Sequence, residues 1–528
     1  MLALFSACIF AQLPKPTLIG SAKYSAVGKN TVGTITYAIP AGTTNKNRVL
    51  VISEAIERVQ NPYNTNWPSN IDGYVANNSI GNNLNYTHVK VNGIAIAESS
   101  FLGGYWYSEF ESNPRRNYLM NDHQDWYYMI PDTATGNLEI SFTDLNNPKT
   151  DGDEMSVIVS VYENVKSVKN DSGENMYSGT SNTSYTFTGT KSASPLGRTD
   201  ADILYLTANI VSQDTDYTLS SGWIAVQNAR ITNNTNVTLP NGSTYPSNEP
   251  DGITHIIGNR YGTGSNPSIT YTRSNSTKFS GGDMNFYALL PFASPAISGK
   301  VVTPALNSTT GTQGGGLWMN VVDTSNNMVV DVVAVDASGN FTILAGKLLE
   351  GNNYNFILSK NAGFVGTTTI TNPIIIELNT GWGIVAEGLN STTSDGTPNG
   401  VFNYTAGATN VNTLRFAIKS CAAGIIAPPV KSSISNACPS TTVNLTTAFT
   451  GTLPSGSTSL VWFTNNTHTG TALSGTAVTQ AGAGTYYVFY YDSVGLCYSP
   501  ASAVTVTIGT CCQAGTAQVP LTGNTLSN

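Results

Sequence analysis

Charged side chains are scarce in this sequence. Asp, Glu, Lys and Arg together make up 11% of the 528 residues, whereas a soluble globular domain usually carries about 25%. The 24 basic and 32 acidic residues give a net charge of −8. Nucleic-acid binding requires clustered Lys and Arg that neutralise a row of phosphates, and the sequence has no such cluster. We therefore expect no nucleic-acid partner.

Long apolar runs are also missing. None approaches the roughly 18 to 20 residues that a helix needs to cross a bilayer, so no membrane span is expected. The first residues, MLALFSACIFAQLPKP, have the apolar part of an export signal without its basic start. We predict a signal peptide over residues 1–11 and Gln12 as the first mature residue. A buried first strand is the alternative interpretation.

Cysteine is rare and concentrated at one end. Five of the 6 cysteines lie in the last quarter of the chain: Cys421, Cys438, Cys497, Cys511 and Cys512. No CxxC or Cys/His spacing typical of zinc sites occurs there. Disulfides persist in oxidising compartments, so this cluster favours a small exported module with disulfide bonds. The odd number leaves one thiol over, or one that pairs with a residue beyond this chain.

Histidine is equally sparse, and catalytic motifs are lacking. The 4 histidines are His88, His123, His255 and His468. None lies in an HExxH arrangement, and neither a GxSxG elbow nor a P-loop occurs. We therefore expect no enzymatic activity. A close acid pair inside a deep pocket of the N-terminal block would instead favour an enzyme.

Short apolar segments between turns are abundant. Hydrophobic residues reach 40%, and runs rich in Val, Ile, Tyr and Thr alternate with Gly, Asn, Asp and Ser, as in strands and turns. Clear examples are residues 48–52, 138–142, 155–162, 203–208, 268–272 and 284–290. The pattern predicts an all-β fold with tandem β-sandwich domains, and the length suggests about three of them.

Residues 12–293 form the first block, whose last strand meets Pro291, a residue that cannot donate to a strand ladder, and whose boundary we place near Ala293. A strand begins at Asn47-Arg48-Val49-Leu50-Val51, a second one ends at Pro131 before a Gly turn, and Asp202-Ile203-Leu204-Tyr205-Leu206 begins a second half. This order resembles a jelly-roll-like domain common in exported bacterial proteins. The resemblance implies two packed antiparallel sheets.

Residues 294–420 form the second block. The turn Asp336-Ala337-Ser338-Gly339-Asn340-Phe341, the strand entry at 351–356, Gly381-Trp382 and the segment 395–400 follow one another in order. This block is similar to prealbumin-like repeats of the collagen-adhesin B or carboxypeptidase-regulatory type. The resemblance implies a second β-sandwich.

Some members of that superfamily contain a Lys-to-Asn isopeptide cross-link promoted by a carboxylate. Lys300, Asn412 and either Glu377 or Glu387 have the required side chains. Lys and Asn are also common on exposed strands, and this is the interpretation that we favour.

Residues 421–430 form a Pro-containing linker, which we expect to be extended. Residues 431–510, with the core strand Leu460-Val461-Trp462-Phe463, resemble the Ig-like repeats of large adhesins and gliding-associated surface proteins of the Bacteroidetes. The resemblance implies a disulfide between Cys438 and Cys497.

Residues 511–528 form a further linker. Because Cys512-Gln513-Ala514-Gly515 repeats Cys421-Ala422-Ala423-Gly424, a further repeat is expected at a period of about 92 residues.

Two acidic segments are candidate calcium sites, and calcium is the only cofactor that the sequence suggests. They contain Asp151, Asp153 and Glu154, and Asp214 and Asp216. Hard oxygen ligands close together on a loop suit Ca²⁺, although neither segment has the full EF-hand pattern. The run 121–125, Asn-Asp-His-Gln-Asp, offers metal ligands too, but a solvated turn is the favoured interpretation.

Aromatic residues cluster in the first block and suggest a ligand site. The candidate ligand-binding residues are Tyr63, Trp67, Trp106, Arg115 and Arg116. Exposed rings can stack on sugars while polar side chains fix the hydroxyls. In strands, however, only every second ring points outward.

Together these features predict a secreted or surface-exposed adhesin or display protein of the Bacteroidetes type, without catalysis. Its partner would be an extracellular glycan or protein. The alternative is a set of carbohydrate-binding modules from a secreted polysaccharide-degrading protein.

Overall fold

The computed structural model describes residues 13–27, 32–39, 47–60, 89–108, 119–143, 150–176, 184–211, 217–233, 251–273, 282–374, 376–396, 398–454 and 456–511. The chain divides into an N-terminal unit, Gln12–Ser294, and a C-terminal unit that begins at Pro295. Within the described ranges, helix is limited to α1 (Thr476–Thr479) and the 3₁₀ turns Glu98–Ser100, Asp200–Asp202 and Leu445–Ala448. The strands and their separate sheets confirm the predicted class, an all-β fold with tandem β-sandwiches.

The first sandwich is built from nine strands. They are β1 (Thr17–Val27), β2 (Val32–Ala38), β3 (Arg48–Gln60), β4 (Val89–Val91), β5 (Ile94–Ala95), β6 (Phe101–Ser108), β7 (Leu119–Ile130), β8 (Asn137–Thr143) and β9 (Thr150–Glu163). One sheet has the order β1-β9-β3-β7-β6, and the other β2-β8-β4-β5. Buried side chains such as Ile52, Trp126 and Ile140 form the core between the sheets.

The second sandwich has eight strands. They are β10 (Ser167–Met176), β11 (Ser184–Thr188), β12 (Leu204–Val211), β13 (Tyr217–Leu219), β14 (Ile224–Asn233), β15 (Asp251–Tyr261), β16 (Ser268–Arg273) and β17 (Gly282–Leu290). Its sheets have the orders β10-β17-β12-β15-β14 and β11-β16-β13. Tyr205, Ile269 and Phe286 belong to its core.

The two sandwiches share one topology. The five-stranded sheets β1-β9-β3-β7-β6 and β10-β17-β12-β15-β14 correspond strand for strand, and so do β2-β8-β4 and β11-β16-β13. Residues 12–293, predicted as one jelly-roll-like block, therefore contain two sandwiches of the same design. The two sandwiches resemble each other in the order of their strands within the sheets, and many different sequences can form this order.

The two five-stranded sheets pack face to face. Val49 and Val51 on β3 lie in one core with Leu204 and Leu206 on β12. The next residue along β3, Ile52, points to the opposite face and into the core of the first sandwich. Because successive side chains of a strand alternate in direction, β3 is apolar on both faces.

The third sandwich occupies the first part of the C-terminal unit. Its strands are β18 (Ile297–Val302), β19 (Trp318–Asp323), β20 (Met328–Ala334), β21 (Asn340–Ile343), β22 (Asn353–Ser359), β23 (Trp382–Gly388), β24 (Val401–Thr405) and β25 (Val411–Ser420). The sheets have the orders β21-β18-β25-β23 and β20-β19-β22-β24. Met319, Phe356 and Phe416 lie in the core between them.

One turn of this sandwich shows how the sequence fixes the chain path. Asp336 Oδ1 accepts hydrogen bonds from the backbone N–H groups of Ser338 (2.8 Å) and Asn340 (2.7 Å). Gly339 has a φ of 85°, and a Cβ there would lie 2.2 Å from the carbonyl oxygen of Val301. The turn therefore requires glycine, because any side chain would meet the backbone of β18.

The C-terminal module completes the described chain. Its strands are β26 (Ser433–Ser435), β27 (Thr458–Phe463), β28 (Gly484–Asp492), β29 (Cys497–Tyr498) and β30 (Ser502–Thr507), in one sheet of order β26-β30-β28-β27 with β29 beside β28. Leu445, Trp462, Val488 and Val504 form its core. Among the residues described here, no helix is long and apolar enough to cross a membrane.

Candidate functional site

The predicted ligand-binding residues fall largely outside the described parts of the chain. Tyr63, Trp67, Arg115 and Arg116 belong to segments that the structure does not describe. The backbone of Trp106 lies in β6, opposite Asp122 of β7, and its side chain is outside the description. The glycan site proposed for these residues stays a prediction.

The candidate calcium segment at 151–154 lies in a strand and not on a loop. Asp151, Asp153 and Glu154 belong to β9, and the backbones of Asp151 and Glu154 pair with Val59 and Glu57 of β3. The prediction that this segment forms a loop was wrong, because it extends the pairing of β9 with β3. Asp214 and Asp216 lie outside the described residues.

The run 121–125 is not the solvated turn that we expected. It lies within β7, and its backbone pairs with both β3 and β6. His123, Gln124 and Asp125 are buried. The polar composition suggested a turn, but β7 is paired on both sides within the sheet, and His123, Gln124 and Asp125 are removed from water.

His123 and Asp125 belong to a buried polar network between the inner sheets of the two N-terminal sandwiches. Ser53 Oγ lies 3.0 Å from Nε2 of His123 and 2.8 Å from Nε2 of His255. Nδ1 of His255 lies 3.1 Å from Oγ of Ser156. Ser53, His123 and Ser156 belong to the first sandwich and His255 to the second, so the network joins the two.

Asp125 is the charged member of this network. Its Oδ2 lies 3.1 Å from Nε2 of His123 and accepts hydrogen bonds from Asn285 Nδ2 (2.5 Å) and from the Tyr287 hydroxyl. Burial alone would raise the pKa of Asp125, but the charge of His123 and the surrounding hydrogen bonds lower it below its usual value. The carboxylate is therefore held in its ionised form.

His255 is kept neutral. Burial lowers the pKa of His255 to about 3, and the charge of nearby His123 adds to this effect. A neutral imidazole has one donor and one acceptor nitrogen. It can therefore accept from Ser53 at one nitrogen and donate to Ser156 at the other.

The combination of Ser53, His123 and Asp125 does not have the arrangement of a hydrolytic triad. In such triads the serine and the carboxylate approach opposite nitrogens of the imidazole. Here both approach Nε2 of His123, and all three residues are 0% exposed. The geometry suits a polar contact inside the protein and gives a substrate no access.

The disulfide predicted between Cys438 and Cys497 was wrong. Cys421 is bonded to Cys497, and Cys438 to Cys511. Since β26 and β30 run parallel, the segments that follow them emerge at the same end of the module, which brings Cys438 to Cys511. Cys497 lies at the start of β29, next to the end of the third sandwich. Cys512 is outside the described residues.

The Cys421–Cys497 disulfide accounts for the only cluster of potential metal ligands among the described side chains. Potential ligand atoms of Cys421, Asp492 and Cys497 lie within 4.8 Å of one another. The two sulfur atoms are bonded to each other, so they are not available as thiolate ligands. Asp492 Oδ2 instead accepts a hydrogen bond from the backbone N–H of Ala422 (3.0 Å).

A second contact crosses the same joint between the third sandwich and the C-terminal module. The carboxylate of Glu377 pairs with Lys360 Nζ through one oxygen and with His468 Nε2 through the other. The hydrogen bond from His468 is the main reason that the pKa of Glu377 falls to about 2, burial opposes it, and Lys360 lowers it further. The His468 ring stacks on Tyr498 with centroids 4.3 Å apart.

A cleft of about 580 Å³ opens at this joint, within the usual size range of ligand pockets, about 300 to 1,000 Å³. Its walls combine aromatic, amide, hydroxyl and charged side chains. They include Lys360, Glu377, Asn379, Trp382, Asn466, Thr467, His468, Tyr498 and Ser499. This cleft is a candidate ligand site among the described residues.

The residues considered for an isopeptide bond are not brought together. Lys300 Nζ donates to the carbonyl oxygen of Thr309 (3.1 Å), and its backbone lies opposite Arg415, three residues beyond Asn412. Asn412 is exposed. Glu377 pairs with Lys360 and His468, and neither of these partners is Lys300 or Asn412.

Glu387 is instead buried beneath a loop. Its Oε1 accepts hydrogen bonds from the backbone N–H groups of Asn399 (2.7 Å) and Gly400, while Oε2 is enclosed without a hydrogen-bond partner. Burial raises the pKa of Glu387 to about 7, with a contribution from the charge of Asp395, against the effect of the backbone bonds.

Sequence reasoning missed the residues that the structure singles out. Nothing local connects Ser53 with His255, or Glu377 with His468, because each pair is assembled by strands far apart in the chain. A usable signal existed only for His255, since Ile256 and Ile257 follow it in a strand-like run.

No protein-family profile matches the chain, and no curated protein matches it. Among solved structures, a candidate cell adhesion protein from Bacteroides eggerthii DSM 20697 is 12% identical, with 41% of this chain and 80% of that one covered and a TM-score of 0.16. The pilus adhesin SpaC from Lactobacillus rhamnosus GG is 7% identical, with 54% and 33% covered and a TM-score of 0.15. Scores this low do not establish a common fold.

Proposed function

We propose that this chain is an extracellular adhesin or display protein of the Bacteroidetes surface type, which binds its partner without catalysis. The observation that carries the proposal is a series of β-sandwiches whose last module contains two disulfides. Such bonds persist outside the reducing cytosol. The low charge and the sandwiches in sequence suit a protein that presents binding surfaces away from the cell.

A non-catalytic role is supported by the character of the buried polar network. Ser53, His123 and Asp125 are enclosed, and their hydrogen bonds link two sheets. Buried groups of this kind are costly unless they are fully paired. Their arrangement suits a fixed core contact.

Adhesion can be tested with beads that carry the full oxidised chain. We expect the beads to attach to at least one immobilised glycan or extracellular matrix protein, and excess soluble chain to abolish the attachment. Protease treatment of intact producing cells should remove the protein. Failure to attach to any surface, or hydrolysis of the offered glycans, would overturn the proposal.

Carbohydrate binding is the second candidate function, and the cleft beside Glu377 favours it. Trp382 and Tyr498 provide apolar walls, while Asn466 and Thr467 offer hydrogen bonds to hydroxyl groups. Binding to a glycan array by the full chain would support this function.

Variants separate the cleft from the predicted N-terminal site. Glu377→Gln should weaken glycan binding at the cleft, whereas Trp67→Ala and Trp106→Ala should weaken binding at the N-terminal unit. Glu139→Gln, an exchange of an exposed residue in β8, is the control for the loss of a carboxylate. Absence of any retained glycan would exclude this second function.

A further inference from the structure

The first and last strands of the third sandwich lie side by side and run parallel. Ile297 of β18 lies opposite Val411 of β25, and Val302 lies opposite Ala417. The chain enters this sandwich at the start of β18 and leaves it at the end of β25. The entry and exit points are therefore at opposite ends of one hydrogen-bonded pair.

This arrangement determines how the pair responds to tension along the chain. Pulling on opposite ends of two parallel neighbours loads their hydrogen bonds in shear, so that many bonds must fail together. Antiparallel neighbours whose entry and exit lie at the same end are peeled apart, one bond at a time. The first geometry therefore requires a larger force than the second for a similar number of bonds.

The N-terminal unit has the peeling geometry. In the first sandwich, Thr17 at the start of β1 lies opposite Glu163 at the end of β9, and the strands are antiparallel. The second sandwich repeats this, with Ser167 at the start of β10 opposite Leu290 at the end of β17. The chain thus contains both geometries, one in each unit.

The C-terminal module adds a covalent limit to the shear geometry. Its first and last strands, β26 and β30, are parallel, with Ser433 opposite Thr505. The two disulfides close loops with sequence separations of 76 and 73 residues. When Cys421 and Cys511 are pulled apart, the tension passes through the Cys421–Cys497 bond and then through residues 497 to 511. These residues reach about 50 Å when fully extended, and this length limits the extension of the module.

We propose that the C-terminal unit is a tension-bearing stalk, with a shear-loaded third sandwich and a disulfide-locked module, and that the N-terminal unit yields first under load. This function goes beyond adhesion, because resistance to force does not depend on which ligand is bound. If the C-terminal unit did not resist tension, the attachment of beads without load would still test the adhesin proposal separately.

Single-molecule pulling of the full oxidised chain through its two termini tests the proposal. We expect the N-terminal unit to release about 95 nm of chain at low force and the third sandwich to release about 40 nm at a force at least twofold higher. The C-terminal module should release no more than about 5 nm. After reduction of the disulfides its release should rise about sixfold, to about 30 nm.

Two controls separate geometry from general stability. Moving the C-terminal handle to the exposed position Asn412 places both handles at the same end of the β18–β25 pair, so the force for the third sandwich should drop to that of the N-terminal unit. The variant in which Cys421, Cys438, Cys497 and Cys511 are all replaced by serine should lengthen the release of the module to about 30 nm without reduction. The double variant Cys438→Ser, Cys511→Ser should not lengthen it, because the Cys421–Cys497 bond still limits the extension. The proposal is overturned if the 40 nm step occurs at or below the force of the N-terminal unit, or is insensitive to the handle position, or if the oxidised module extends by about 30 nm.

Discussion

Ser53 Oγ lies 2.8 Å from Nε2 of His255, and this hydrogen bond joins strands β3 and β15 of two different sandwiches. The same oxygen lies 3.0 Å from Nε2 of His123. One hydroxyl group thus links both imidazoles at the centre of the contact between the inner sheets. In this enclosed region water cannot replace a hydrogen-bond partner that is lost.

Removing the Ser53 hydroxyl should destabilise the N-terminal unit. Ser53→Ala leaves two buried imidazole nitrogens without this partner, which typically costs about 1–3 kcal/mol. Chemical unfolding measures the loss of stability, and hydrogen exchange of the backbone amides of β3 and β15 shows where it occurs. Ser99→Ala, at an exposed position of the same unit, is the control, and equal stability of the two variants would contradict a central role for the network.

The stability of the N-terminal unit should decrease as the pH falls below about 6.5. Burial lowers the pKa of His255 from 6.5 to about 3, so between these values the unfolded chain binds a proton that the folded chain does not. The free energy of unfolding therefore decreases by up to about 1.4 kcal/mol per pH unit in this window. Unfolding curves at pH 6.5, 5.5 and 4.5 measure the slope.

The variant His255→Gln should reduce that slope, because glutamine can form hydrogen bonds but does not titrate. His468→Gln, in the C-terminal unit, should leave the slope of the N-terminal unit unchanged. If His255→Gln and the natural chain show the same pH dependence, His255 is not the group responsible.

The C-terminal unit should show the opposite pH dependence around Glu387. Its pKa rises from 4.5 to about 7, mainly through burial, so the folded state binds the proton more tightly than the unfolded state. The resulting stability is fully present below pH 4.5 and is lost as the pH rises through 7. Hydrogen exchange of β22, β23 and β24 between pH 5 and 8 measures this loss.

Glu387→Gln imitates the protonated carboxyl and should remove most of this loss, on the order of 1–2 kcal/mol at pH 8. Glu139→Gln in the N-terminal unit should have no effect on these strands. A variant that remains as pH-sensitive as the natural chain would show that Glu387 does not titrate in this range.

The disulfide pairing has a direct chemical test. Digestion without reduction should release linked peptides that contain Cys421 with Cys497 and Cys438 with Cys511. Each bond closes a loop of more than 70 residues and should contribute about 4 kcal/mol in the chain-entropy description. Replacing either pair by serine should lower the unfolding temperature of the C-terminal module, and recovery of a Cys438–Cys497 peptide would contradict the pairing.

The fold class could be predicted from the sequence because alternation and turn residues act locally. Segments such as residues 48–52 and 138–142 form strands as the pattern indicates. The duplicated topology of residues 12–293 could not, since strands such as β3 and β12 keep only their places in the sheet order. The polar run at residues 121–125 was misinterpreted because composition does not reveal which strands are covered on their faces and paired on both sides.

The candidate sites were predicted less well, since they depend on contacts over long sequence separations. Glu377 and His468 are 91 positions apart in the chain, and only the joint between the third sandwich and the C-terminal module places them together. The cysteines were recognised as disulfide-forming, but the resemblance gave the wrong partners.

The sequence alone determined that this chain is made of strands, that it is poor in charge and that five of its six cysteines lie together near one end, because composition and period-two alternation are local properties. Only the tertiary structure decided which strands are neighbours and in which direction they run. That choice pairs Cys438 with Cys511, encloses Ser53 with His255, and sets β18 parallel to β25. The physical reason is that each sheet must satisfy its backbone hydrogen bonds and bury its apolar faces at once, and distant segments meet this condition together.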